Sequence, residues 1–130
     1  MAKNVHTYKK IFKFFLRLQH NTKLYHWNTL NYATHLATDE FAKKLSTSID
    51  KFIEIYITYY KRPFESLKNG LNIKFKILNK MTFPIYLDKC FAYLKSMDKT
   101  TLAQHIDLMN VRDDILTSIS QTKYLLSFCI

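Results

Sequence analysis

Residues 33–61, ATHLATDEFAKKLSTSIDKFIEIYITYYK, contain neither Gly nor Pro and place Leu45, Ile49, Phe52, Tyr56 and Tyr59 at alternating intervals of four and three. On a helix that advances 100° per residue this spacing gathers the five side chains into one apolar stripe, whereas a strand would scatter them over both faces. The pattern therefore predicts one long helix, from about Ala33 to Lys61, that buries this stripe and stops near Pro63. Upstream, Tyr8, Phe12, Phe15, Thr22 and His26 fall on a second helical stripe, which predicts a first helix from an Asn4 N-cap to Asn28. Asn28 to Asn31 form a short polar connection, so the two helices are expected to lie side by side and antiparallel.

Downstream, residues 63–81 read as an irregular crossover, with a turn-like stretch from Ser66 to Gly70 and a strand-like alternation of Ile73, Phe75 and Ile77. A third helix is expected from Thr82, with Pro84 in its first turn, through Ile85, Leu87, Phe91 and Leu94 to Met97. A fourth opens on the capping box Thr101-Leu102-Ala103-Gln104 and carries Leu108, Val111, Ile115, Ile119 and Leu126 to about Ser127. The fold class is thus all-α, a four-helix bundle with one long crossover between helices 2 and 3, occupying the whole chain, residues 1–130, as a single domain.

The composition agrees, since one Gly and two Pro in 130 residues are too few for a many-stranded protein, and 48% hydrophobic with 15% aromatic side chains are too many for disorder. Cys90 and Cys129 form no C-x-x-C pair, which argues against a thiolate zinc site and for a reducing, cytoplasmic setting. Lys13 and Arg17 interrupt the apolar N-terminal run, and no segment reaches the ~18 apolar residues of a membrane span. Twenty Lys and Arg against ten Asp and Glu give a net charge of +10, which favours anionic partners, DNA without sequence preference among them. Lys9, Lys10, Lys13 and Arg17 share one side of helix 1, which reads first as a solvated face, with a phosphate-contacting face or a membrane-surface helix as the alternatives.

The chemistry concentrates on helix 2. His35, Asp39, Asp50 and Glu54 fall within an arc of roughly 100°, and each pair is spaced i, i+4, close enough to close on one ion. Imidazole with carboxylate suits iron, manganese or zinc. Asp39 and Asp50 are nevertheless roughly 16 Å apart along the axis, so one ion cannot take both pairs from one chain. The polar stripe is also rotated by roughly 120° from the apolar one. A two-fold dimer with helix 2 antiparallel to its copy would set His35 and Asp39 of one chain against Asp50 and Glu54 of the other, making two identical sites. His26, near the end of helix 1, would stand close to His35 and supply a fifth ligand.

The run Tyr25-His26-Trp27-Asn28, followed by His35-x3-Asp39 and Asp50-x3-Glu54, resembles the ferroxidase signature of the Dps-type mini-ferritins, the DNA-protecting proteins of starved cells. The likeness covers the first half of the chain, and the connection between His26 and His35 is about three residues shorter than the family's. It implies a ferritin-like bundle and an inter-subunit site in which His26, His35 and Asp39 come from one chain and Asp50 and Glu54 from its neighbour. It further implies Fe(II) oxidation with iron cycling between Fe(II) and Fe(III), and a homo-oligomer from a dimer up to a dodecameric shell. Tyr32-Ala33-Thr34-His35 and Ile49-Asp50-Lys51-Phe52-Ile53-Glu54 also resemble small ferritin-like proteins of large DNA viruses and phages, for which the setting would be host cytoplasm or virion. Only seven carboxylate side chains remain outside the site, which argues against mineral storage, and the absence of E-x-x-H excludes an intrachain di-iron site. A competing reading is a non-enzymatic basic bundle that binds nucleic acid or a partner protein and keeps the metal residues as a relic.

Overall fold

A computed structural model describes residues 7–62, 64 and 67–129, and Asn4, Pro63 and Ser66 lie outside them. Thr7 caps the first helix, α1 (Tyr8–Asn28), its hydroxyl accepting the Lys10 N–H at 3.4 Å. Asn31 caps α2 (Tyr32–Tyr60) more tightly, with Oδ1 accepting the Thr34 N–H at 2.9 Å. Then follow α3 (Thr82–Ser96), two 3₁₀ turns at Met97–Lys99 and Thr101–Gln104, and α4 (Ile106–Leu126). Among the described residues there is no strand, and residues 67–81 form two turns joined by irregular coil.

Helix α2 packs against both α1 and α4, and α4 against α3. Their buried stripes meet in one contiguous core. Phe15, Phe52 and Tyr56 interlock there, the Phe15 and Phe52 rings 4.7 Å apart between centroids, and Tyr25 stacks on Phe83 at 4.5 Å. Burying such aromatic side chains is the main source of stability in a helical bundle. No helix among the described residues is long and apolar enough to cross a membrane.

Three details depart from the sequence reading. Tyr59 is exposed rather than in the core: its hydroxyl donates to the Asp107 carboxylate at 2.9 and 3.0 Å and its ring stacks on His105 at 3.8 Å. Tyr8 and Ile85 also face outward. The Thr101–Gln104 box does not start α4 but forms a 3₁₀ turn capped by Thr100, after which His105 turns extended and α4 begins. The crossover is irregular as read: among the described residues the alternation of Ile73, Phe75 and Ile77 builds no strand.

Lys61, the residue after α2, has φ 65° and ψ 173°, a region that glycine alone enters without steric cost. Strain of ~1–3 kcal/mol there outweighs the extra ~0.5–1 kcal/mol of chain entropy that a glycine loses on folding. Lys61→Gly is therefore expected to stabilise the bundle by about 1 kcal/mol, read as a rise of about 4 °C in melting temperature. An unchanged or lower melting temperature would show that this backbone is not strained.

Burial separates the two thiols. Cys90 lies buried in α3 against Tyr86, and desolvation pushes its thiol up to about 12. Cys129 is partly exposed beyond the end of α4.

Candidate metal centre

The connection between α1 and α2 is three residues, Thr29 to Asn31, and both of its ends are fastened: the Thr29 N–H returns to the Tyr25 carbonyl at 3.0 Å, and Asn31 caps α2. This tight turn sets His26, in the last turn of α1, against His35, in the first turn of α2. The two rings stack with centroids 3.9 Å apart and planes 19° from parallel. Their hydrogen bonds are reciprocal. His26 Nδ1 donates to the His35 carbonyl at 2.8 Å, and His35 Nδ1 donates to the His26 carbonyl at 3.0 Å.

A carbonyl oxygen only accepts, so both Nδ1 atoms must carry the proton. In the neutral rings this leaves each Nε2 with its lone pair, the state in which imidazole ligates a metal, with the second nitrogen anchored as metal-bound histidines usually are. Thr38 completes the inner wall. Its hydroxyl donates to the Thr34 carbonyl at 2.8 Å, and its oxygen lies 3.2 Å from His26 Nδ1. His26 is buried and His35 half-buried, so the open side of the stacked pair is the side toward solvent.

Asp39 stands one turn beyond His35 on that side. Its Oδ1 is 3.9 Å from His26 Nε2, and its Oδ2 pairs with Lys43 Nζ at 3.0 Å. The Lys43 ammonium holds the Asp39 carboxyl below the usual carboxylate range, against the opposing effect of burial. Two imidazoles and one carboxylate thus meet at a single corner. Among the described residues, however, no three His, Cys, Asp or Glu side chains of one chain converge into a ready cluster for a metal ion.

Asp50 and Glu54 sit further along α2 on its exposed surface, and neither is ion-paired among the described residues. The five residues singled out by spacing therefore divide into His26, His35 and Asp39, which are brought together, and Asp50 and Glu54, which are not. Around the first group Trp27, Leu30, Tyr32 and Leu36 are exposed, Leu30 completely. Tyr32 extends the ring stack, 6.3 Å from His35. Thr38 was not singled out by the sequence, although it stands four positions after Thr34 on the buried side of α2, and Tyr32 figured only in the viral resemblance.

Residues 26–126 match a family described as "Family of unknown function (DUF5856)". That stretch begins at His26 and contains all five candidate ligands. No curated protein and no solved structure matches the chain. Because the family match spans most of the chain, the protein belongs to the DUF5856 family.

Proposed function

We propose that this protein is a Dps-like mini-ferritin that binds Fe(II) at a site completed by a second copy of the chain and oxidises it, lowering the free iron that generates damaging oxygen chemistry. The observation that carries this reading is the stacked His26/His35 pair, with both Nδ1 atoms tied to backbone carbonyls and both Nε2 atoms left as donors to a metal beside the charged Asp39. Asp50 and Glu54, exposed on the same helix, are the groups a partner chain would contribute. The neighbour relations of the helices, α1 with α2, α2 with α4 and α4 with α3, together with the long connection from α2 to α3, suit a ferritin-like bundle with one crossover.

In this reading His26 and His35 hold one side of the ion, Asp39 trades its Lys43 contact for the metal, and the partner's carboxylates close the other side. Each Fe(II) gives one electron to dioxygen or peroxide, and the mixed nitrogen and oxygen donor set accommodates both iron oxidation states. Zinc and manganese suit the same donors. The smallest unit is a C2 dimer, and the Dps resemblance extends it to a dodecameric shell, which at +10 per chain would hold DNA without sequence preference.

Anaerobic calorimetric titration of metal-free protein with Fe(II) tests the site. The expected result is saturable binding of about one or two ions per chain, with Zn(II) and Mn(II) competing. Asp50→Asn, an exposed change that leaves the fold untouched, should weaken binding by about tenfold or more. Binding that is unsaturable, or equal in parent and Asp50→Asn, would leave the non-enzymatic basic bundle as the better reading.

A further inference from the structure

A groove of about 430 Å³ runs between α1, α3 and the crossover, and a second of about 530 Å³ continues it along the crossover, the two sharing Lys74, Lys76, Tyr86 and Lys89. It shares no residue with the metal corner. Arg17 joins the three lysines in its wall, no carboxylate lines either part, and none of these four cations is ion-paired among the described residues. Four like charges around one concavity repel, so the groove is electrostatically complementary to an anion.

The groove floor holds an unused donor. Asn21 is 1% exposed, and its Oδ1 accepts the backbone N–H of Lys76 at 2.8 Å, which fixes the amide orientation and turns Nδ2 toward the groove side. Among the described residues that Nδ2 makes no hydrogen bond of ordinary geometry, and the Tyr86 hydroxyl is the neighbour that feels it. Buried amide donors are almost always satisfied, and one left open beside four cations marks where a ligand oxygen belongs. One stretch of the wall is aromatic, with Tyr93 stacked on Phe14 at 4.2 Å and Tyr86 and Cys90 beside them, a surface suited to a flat ring.

We propose that this groove binds a mononucleotide. The phosphates meet Arg17, Lys74, Lys76 and Lys89 and accept from Asn21 Nδ2, while the base lies against the tyrosine-lined wall. The volume falls within the usual range of small-molecule sites.

Calorimetry on the full-length protein with ATP, inorganic phosphate, adenosine and a twelve-residue thymidylate tests the assignment. The expected result is saturable binding of one ATP per chain, at least tenfold tighter than phosphate or adenosine alone. Lys74→Gln/Lys89→Gln, both exposed, should weaken ATP at least tenfold, whereas Lys9→Gln/Lys10→Gln, which removes the same charge elsewhere on α1, should change it less than twofold. Asn21→Asp, which keeps the acceptor for Lys76 and replaces the donor by a carboxylate, should weaken it similarly if its melting curve matches the parent's. Equal losses in the two lysine pairs would reduce the effect to net charge and overturn the proposal. So would phosphate binding as tightly as ATP, or an oligonucleotide that binds tighter than ATP and is not displaced by it.

Discussion

An equimolar mixture of Asp39→Ala and Glu54→Ala chains is expected to bind about one quarter as much Fe(II) as the parent protein, although each variant alone binds almost none. Each homodimer has both of its sites damaged. In a mixed dimer one site takes His26, His35 and Asp39 from the Glu54→Ala chain and Asp50 and Glu54 from the Asp39→Ala chain, and is whole, while the other site carries both lesions. Random exchange makes half of the dimers mixed, each with one of two sites intact, which gives the quarter. The effect is large because one chain supplies only half of the site: His26, His35 and Asp39 meet at one corner, but among the described residues no three such side chains of one chain form a ready cluster for a metal ion. Native mass spectrometry establishes the exchange, and ferrous oxidation followed by absorbance gives a second measure of the recovered sites. Proven exchange with no recovery would sink the shared site, while homodimers that bind like the parent would place the metal elsewhere.

Arg112→Ala is expected to cost about 3 kcal/mol and about 10 °C in melting temperature. Arg112 is buried, and its guanidinium uses three separate acceptors: Nη1 donates to the Leu94 carbonyl at 2.8 Å, Nη2 to Asp98 at 2.7 Å and Nε to Asp113 at 2.8 Å. The first two bonds fasten α4 to Leu94 in the last turn of α3 and to Asp98 in the 3₁₀ turn that follows it, and the third stays within α4. Truncation leaves a cavity and a carbonyl short of a donor, but Asp98 and Asp113 can return to water, which keeps the cost near the lower end for a broken buried pair. A lysine offers one point charge in place of a planar fork, so Arg112→Lys should recover less than half of the loss. Arg112, and after it Lys95, holds the Asp98 carboxyl below its ordinary 3.8. A carboxyl depressed in the folded state stabilises above its unfolded value, and that contribution fades as pH falls through the folded one. The gap between parent and Arg112→Ala melting temperatures should therefore be full at pH 7 and narrow below about pH 3.8. A gap that stays constant into acid would assign the loss to packing alone.

The α2 stripe was legible because long regular helices declare themselves by period, and the nearness of His26 to His35 followed from a connection too short to separate their helix ends. What escaped the sequence depends on groups it does not display. The tautomers of both histidines are set by two backbone carbonyls, and the orphaned amide of Asn21 by one backbone N–H of the crossover. Tyr59 continued the apolar spacing yet faces outward, because at the end of α2 the neighbouring surface is the start of α4, where His105 and Asp107 offer a ring and a carboxylate rather than apolar contacts. The Thr101–Gln104 box failed for a similar reason: with Thr100 already capping, the chain closes a 3₁₀ turn before His105 redirects it.

Cys90 gives the bundle a built-in clock. With its thiol pushed up to about 12 and its side chain 2% exposed, that sulfur reacts slowly, and it lies in the wall of the groove between α1 and α3. An alkylating reagent should mark Cys129 at once and Cys90 far more slowly, and whatever fills the groove should slow Cys90 further. The second modification then counts how often the groove admits a reagent, one labelled sulfur for each visit, in a protein whose proposed chemistry would surround it with oxidants it must withstand.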